Sequence, residues 1–166
     1  MQPKKIYLAI PYSGKEEESF EIVNKLAGQL MKQGYVVFSP ISHTRPIAQC
    51  CELPHDWEFW KKQDEPFIEW CDELWVCYPR NWPLSLCEKS VGVNAEIEMA
   101  YEKDKEIQFI DEKGKVLENS MESEAYKGYL IQGNLIGSEF YIIKDGFRIA
   151  TLKTVDKAKR VIDKFI

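Results

Sequence analysis

The hydrophobic pattern of this chain switches repeatedly between two periods. Lys5 to Ile10 places apolar side chains at Ile6, Leu8 and Ile10, which predicts a first strand, and Pro11-Tyr12-Ser13-Gly14 breaks it. From Ser19 the spacing lengthens: Phe20, Val23, Leu26, Ala27, Leu30 and Met31 recur with a helical period, and Gly34 stops the run. Tyr35 to Phe38 is a second, continuous apolar strand ended by Pro40. Strand, helix and strand at this spacing form a βαβ unit, hence a parallel sheet with a right-handed crossover. Ser39 to Pro54 reads as a loop, because it holds three prolines. Asp56 to Cys71 reads as a helix carrying Trp57, Trp60, Phe67, Ile68 and Trp70, kinked or divided at Pro66. Leu74 to Cys77 is the third strand, Tyr78 to Lys89 a loop, Val93 to Lys103 a helix, and Ile107 to Ile110 the fourth strand. The alternation predicts an α/β fold with an open doubly wound parallel sheet of the flavodoxin or Rossmann type. Ligands bind such sheets beyond the carboxyl ends of the strands, where residues 11–14, 39–45 and 78–92 would gather.

The pattern changes after Asp111. Asp111 to Ala125 is polar and reads as a linker. Tyr126 to Gln132, Phe140 to Lys144 and Phe147 to Thr151 read as short strands, with Asp145-Gly146 a strong hairpin signal. Thr154 to Ile166 is an amphipathic helix. The expected organisation is an α/β domain over residues 1–111 and a small β-β-β-α appendage over 126–166, the latter without a cluster of reactive side chains.

Composition narrows the function classes. The chain has 166 residues, 45% of them apolar and 30% charged, and a net charge of -5. That balance argues against polymeric nucleic acid as a partner, which needs a basic patch, and leaves room for a small anion pocket. No apolar run reaches the ~20 residues of a membrane span, and the first residues carry no signal-peptide cleavage pattern, so the cytoplasm is the expected compartment. The five cysteines form no CxxC pair and read as buried or semi-buried thiols; no metal or cofactor motif is present.

Ser90-Val91-Gly92-Val93-Asn94-Ala95-Glu96 is the stretch that carries most chemistry. Ser90 is placed to cap a helix, and small residues at the helix start offer free N–H groups to an anion. Glu96 follows about one turn later. The competing reading is a capped helix with two solvated glutamates, Glu96 and Glu98, whose replacement would cost little. Asp64, among aromatics, is either a desolvated acid or a surface carboxylate beside Lys61 and Lys62. Asp72 reads as an edge residue. Tyr7 is either core or functional, Tyr12 either stacks on a ligand ring or packs, and Trp82 either roofs a pocket or covers the sheet end.

Three pieces in order, Lys5-Ile6-Tyr7-Leu8-Ala9-Ile10-Pro11-Tyr12, Asp64 with Cys71-Asp72-Glu73-Leu74, and Ser90 to Glu96, resemble the nucleoside 2-deoxyribosyltransferase superfamily. Ser39-Pro40-Ile41-Ser42-His43 and Trp82 resemble its less-characterised bacterial and phage members. The resemblance spans residues 4 to 110. It implies N-glycosidic chemistry: Glu96 as nucleophile at C1′, Asp64 assisting at the base, Tyr7 orienting the glutamate. Transferases acting on free nucleosides have an aspartate where this chain has Ser90. The superfamily's nucleoside 5′-monophosphate N-glycosidases have serine there, which favours a phosphorylated substrate held by Ser90, Gly92 and Val93, with Ser13 and Gly14 a second donor pair. Tyr12, His43 and Trp82 complete the expected binding set, and a homo-oligomer is implied, with the aromatic segment Trp57 to Trp70 offering its surface. The alternatives are a non-catalytic nucleotide-binding module, or an interaction protein whose C-terminal unit carries the function.

Overall fold

The structure is a computed structural model describing residues 2–117, 123–133 and 140–165. The first sheet comprises β1 (Lys5–Ala9), β2 (Val36–Phe38), β3 (Glu73–Cys77) and β4 (Glu106–Ile110). All pairs are parallel, in the order β2-β1-β3-β4. Ile6 to Ala9 and Glu73 to Cys77 are buried throughout, as expected of central strands covered on both faces. Right-handed crossovers put α1 (Glu16–Lys32) on one face, and α3 (Trp57–Trp70) and α5 (Val91–Glu102) packed side by side on the other. The chain runs outward in opposite directions from β1 and β3, so the topological switch point lies between their carboxyl ends.

Ser39 to Pro54 is not a loop. It holds α2 (Pro40–Cys51), starting from an extended Ser39 and ending at Glu52, whose φ is 50°. Pro40 sits at the first helical position, where a missing N–H costs nothing, and Pro54 lies beyond the helix; only Pro46 interrupts the ladder. Prolines at the two ends frame this helix rather than break it. Leu84–Glu88 forms a further short helix, α4, inside the predicted third loop.

The C-terminal unit has four strands, not three: β5 (Ser123–Tyr126), β6 (Tyr129–Gly133), β7 (Phe140–Lys144) and β8 (Phe147–Leu152), antiparallel in that order, followed by α6 (Val155–Phe165). The missed turn is Lys127-Gly128. Both its residues have positive φ (49° and 76°), as do Asp145-Gly146 (49° and 78°), so the two turns share the two-residue geometry that matches strand twist. Lysine in the first position hides that signal. One face of this sheet, with Ile131 and Ile142, packs on Ala158 and Ile162 of α6. The other, with Leu130, Tyr141 and Ile143, joins the main core. That face of the unit is thus continuous with the core of the parallel sheet. Residues 118–122 of the expected linker lie outside the described residues. Up to Leu117 the segment turns back onto β4, with Asp111 accepting the N–H groups of Lys113 and Lys115, both at 2.9 Å.

Among the described residues no helix is long and apolar enough to cross a membrane. Cys71, Cys77 and Cys87 are buried; Cys50 and Cys51 are exposed at the end of α2, contrary to expectation.

Candidate functional site

A cavity of about 650 Å³ opens at the switch point. Its floor and walls come from the loop after β1 (Ile10, Tyr12, Ser13), from α2, from the first half of α3, and from the start of α5 (Ser90 to Val93, and Glu96). Asp64 and Glu96, far apart in sequence, both line it, and Tyr7 lies behind Glu96.

Tyr7 points from β1 with no exposed surface, and its hydroxyl donates to Glu96 Oε1 at 2.7 Å. Burial, then the charges of Glu96 and Asp64, push its phenol well above its ordinary value, so it remains a donor. Glu96 is 5% exposed. Burial pushes its carboxyl well up, the charge of Asp64 adds to this, and the Tyr7 bond opposes it. Asp64 is likewise 5% exposed, and burial raises it to about 7. Its Oδ1 is buried with no hydrogen-bond partner among the described residues, as is the indole N–H of Trp57 beside it in the cavity wall. An unsatisfied acceptor and an unsatisfied donor thus belong to two residues that line one cavity. Burial disfavours the ionised form of both carboxyls, and the charge on one raises the other. Neither the solvated Glu96 nor the surface Asp64 of the alternative readings describes this arrangement.

Glu98 is not solvated either. It is 7% exposed and accepts the backbone N–H of Gly146 at 3.1 Å. Helical position alone made it look outward; the C-terminal unit covers it.

The start of α5 lines the cavity as expected. Ser90 is its N-cap, with Oγ accepting from Val93 N at 3.5 Å, a loose cap that leaves the hydroxyl largely uncommitted. Gly92 faces the ring of Trp57 at ordinary contact distance. Tyr12 and Ser13 reach the cavity, but Gly14 does not: its N–H is committed to Glu16 Oε1 at 2.9 Å. His43 lines an adjoining cavity of about 250 Å³, tilted beside Phe38 and Phe67, which stack on each other at 3.7 Å. Asp64 and Trp60 line both cavities. Trp82 lies away from the cavity, buried over α1 with its indole donating to Glu18 Oε2 at 3.0 Å and Lys15 above its ring. Trp70 is 39% exposed beneath Lys5, the one aromatic of its segment that is largely on the surface.

Sequence reasoning missed Arg45. It is 8% exposed, lines the cavity from α2, stacks on Phe20, donates to the Glu16 carbonyl at 3.2 Å and pairs with Glu17. Its signal was absent because the segment read as loop; on a helix, Pro40-Ile41, Thr44-Arg45 and Ala48 fall on one face and Arg45 becomes a wall residue. Among the described residues no group of three histidine, cysteine or carboxylate side chains is arranged to hold a metal.

A family model described as "Domain of unknown function (DUF1937)" matches residues 4–112, which hold the parallel sheet and every residue at the cavity base. The chain belongs to that family. No curated protein sequence matches the chain. Among solved structures it is similar to a 2-deoxyribosyltransferase from the psychrotolerant bacterium Bacillus psychrosaccharolyticus, at 27% identity and a TM-score of 0.46, over 67% of this chain and 74% of that one. The family match ends at residue 112, before β5 begins at Ser123, so the four-stranded C-terminal unit lies outside the matched region.

Proposed function

We propose that this chain cleaves or exchanges the N-glycosidic bond of a nucleoside or deoxynucleoside 5′-monophosphate. The observation that carries the reading is the buried trio: Glu96 held by the Tyr7 hydroxyl at 2.7 Å, and Asp64 lining the same cavity with an uncommitted oxygen. The motifs around these residues, which resemble the deoxyribosyltransferase superfamily, support it.

The chemistry follows from the protonation states. As the base leaves, positive charge develops on the sugar ring, and a carboxylate beneath C1′ stabilises or traps it. Burial opposes ionisation of both carboxyls; the Tyr7 hydrogen bond offsets this at Glu96, whereas Asp64 Oδ1 has no donor, so the nucleophile is assigned to Glu96 and the transferred proton to Asp64. Glu96 Oε forms a bond to C1′ as the C1′–N bond breaks, and the proton on Asp64 passes to the departing base. Water or a second base then attacks C1′, returns its proton to Asp64 and frees Glu96. Burial serves both roles: it raises the acid into the useful range near pH 7 and keeps water from the leaving base. The phosphate sits at the start of α5, on the Ser90 hydroxyl and the backbone N–H groups beside Gly92, with Ser13 opposite. Arg45 supplies positive charge across the cavity.

Incubation with a panel of nucleoside monophosphates and nucleosides, followed by chromatography for free base, tests the reading; no base released from any member removes it. The phosphate contact has its own test. Ser90→Ala is expected to weaken nucleotide binding by roughly 1.5–3 kcal/mol, the scale of a hydrogen bond to a charged group. Affinity for the unphosphorylated nucleoside should stay level, and stability should fall by less than about 1 kcal/mol, because the cap is loose. Ser90→Asp should repel the phosphate and shift preference towards the nucleoside. Calorimetric titration of both ligands decides the point, and equal losses for the two would sink the phosphate role.

A further inference from the structure

The cavity's reactive face hangs from the segment Glu88 to Glu98, and this segment is held at both ends by the C-terminal unit. At one end, the Asp145-Gly146 tip of the β7–β8 hairpin sits against the first turns of α5. Gly146 N donates to Glu98 Oε2 at 3.1 Å in a buried position, and Lys144 Nζ lies 3.8 Å from Glu98 Oε1. Gly146 has φ +78°, and a Cβ there would overlap the Val91 carbonyl oxygen and lie 2.8 Å from Ala95 Cβ. The tip therefore occupies the notch between residues four apart on α5. At the other end, Tyr141 Oη donates to Glu88 Oε2 at 2.8 Å and Arg148 donates to the Glu88 carbonyl at 2.9 Å. Asn94 of α5 donates to that same carbonyl at 3.0 Å.

Helix α5 has little of its own to fix its start: the Ser90 cap is 3.5 Å long and no acidic residue lies in its first turn. Apolar packing of Leu130, Tyr141 and Ile143 would dock the C-terminal sheet without fixing register. The buried polar contacts at Glu88 and Glu98 supply direction as well, since each is lost by a small slide. Glu96 lies between them, and its bond to Tyr7 tolerates no such slide either.

We propose that the β7–β8 hairpin is a positioning element for Glu96, with Gly146 the residue that sets it and Glu98 its receptor. The proposal rests on Glu96 being the reacting carboxylate. The hairpin does not touch substrate; it acts through α5.

The test uses the full chain and two readouts. Gly146→Ala, folded by circular dichroism and melting cooperatively, is expected to lower kcat for base release roughly a hundredfold with KM within about threefold, the pattern of a misplaced reacting group. Carbon-13 carboxyl NMR, with no substrate present, should show the titration midpoint of the Asp64–Glu96 pair displaced by about half a pH unit or more, since the groups facing Glu96, Tyr7 and Asp64, come from elements the hairpin does not hold. Should Gly146→Ala not fold, Glu98→Leu, which removes the acceptor for Gly146 N–H, should give both effects, and Glu98→Gln, which keeps an acceptor, should restore them. A folded Gly146→Ala or Glu98→Leu variant with wild-type kcat and an unmoved titration overturns the proposal. If the wild-type chain releases no base at all, the glycosidic reading fails by itself; the titration then decides, displaced in support and unmoved against.

Discussion

Glu96→Gln is expected to stop base release, lowering the rate on the order of 10⁴-fold or more, while leaving the protein folded and its melting temperature at neutral pH no lower than wild type. The loss is that of a nucleophile: the amide keeps the shape but cannot attack C1′. The stability result comes from burial. Glu96 is 5% exposed and its ionised form is disfavoured above all by burial, so a neutral isostere removes a cost. The amide oxygen still accepts the Tyr7 hydroxyl. Glu96→Ala separates the two effects. It leaves Tyr7 Oη without an acceptor inside the core, which costs about 1–3 kcal/mol. An exposed helix glutamate would show neither behaviour. Wild-type turnover in purified Glu96→Gln would remove the nucleophile assignment, and a melting temperature clearly below wild type would contradict the buried, strained carboxyl.

Asp64→Asn is the second large effect, and it has a signature in stability as well as rate. Removing a positioned acid should slow base release by 10²–10⁴-fold, most for bases that leave poorly without protonation. The alkaline limb of the wild-type rate profile, set by loss of the Asp64 proton through about pH 7, should be missing from the residual activity. The stability argument runs on the same proton. Burial raises the folded carboxyl from 3.8 to about 7, so between those values the folded chain holds a proton that the unfolded chain has lost. Stability is then full below pH 4 as far as this group is concerned, and it falls as pH rises towards 7. Asparagine carries no such proton. The melting temperature of Asp64→Asn relative to wild type should therefore climb from pH 5 to pH 8, by the equivalent of up to a few kcal/mol. Thermal denaturation across that range checks it; a constant gap between the two proteins would mean that Asp64 titrates as an ordinary surface carboxylate.

Both effects come from residues that read ambiguously along the chain. The alternating periods record the parallel sheet, because a strand covered on both faces needs a continuous apolar run and a crossover helix needs a stripe. Ile6 to Ala9 and Leu74 to Cys77 have the first, and Val23, Leu26 and Leu30 the second; these are local requirements, so local pattern records them. The hairpin tip Asp145-Gly146 was legible for the same reason. Helix α2 was not, because proline is informative only by position, and Pro40 and Pro54 stand where a helix tolerates or follows it. Lys127-Gly128 was not, because lysine at positive φ carries no compositional mark.

The parallel sheet, with the crossover helices that follow β1 and β3, is legible in local pattern alone, and so are Tyr7, Asp64, Ser90 and Glu96 as candidates. Their burial and their partners come from the fold. Whether a carboxyl is solvated depends on what packs over it from distant parts of the chain: Tyr7 from 89 residues away makes Glu96 an oriented, buried group. Gly146, 48 residues on, turns Glu98 from a surface charge into an anchor. The same distance effect moved Trp82 and His43 out of the main cavity and brought Arg45 and Trp57 into it. Burial and electrostatic coupling are sums over neighbours in space, and a linear pattern lists only neighbours along the chain.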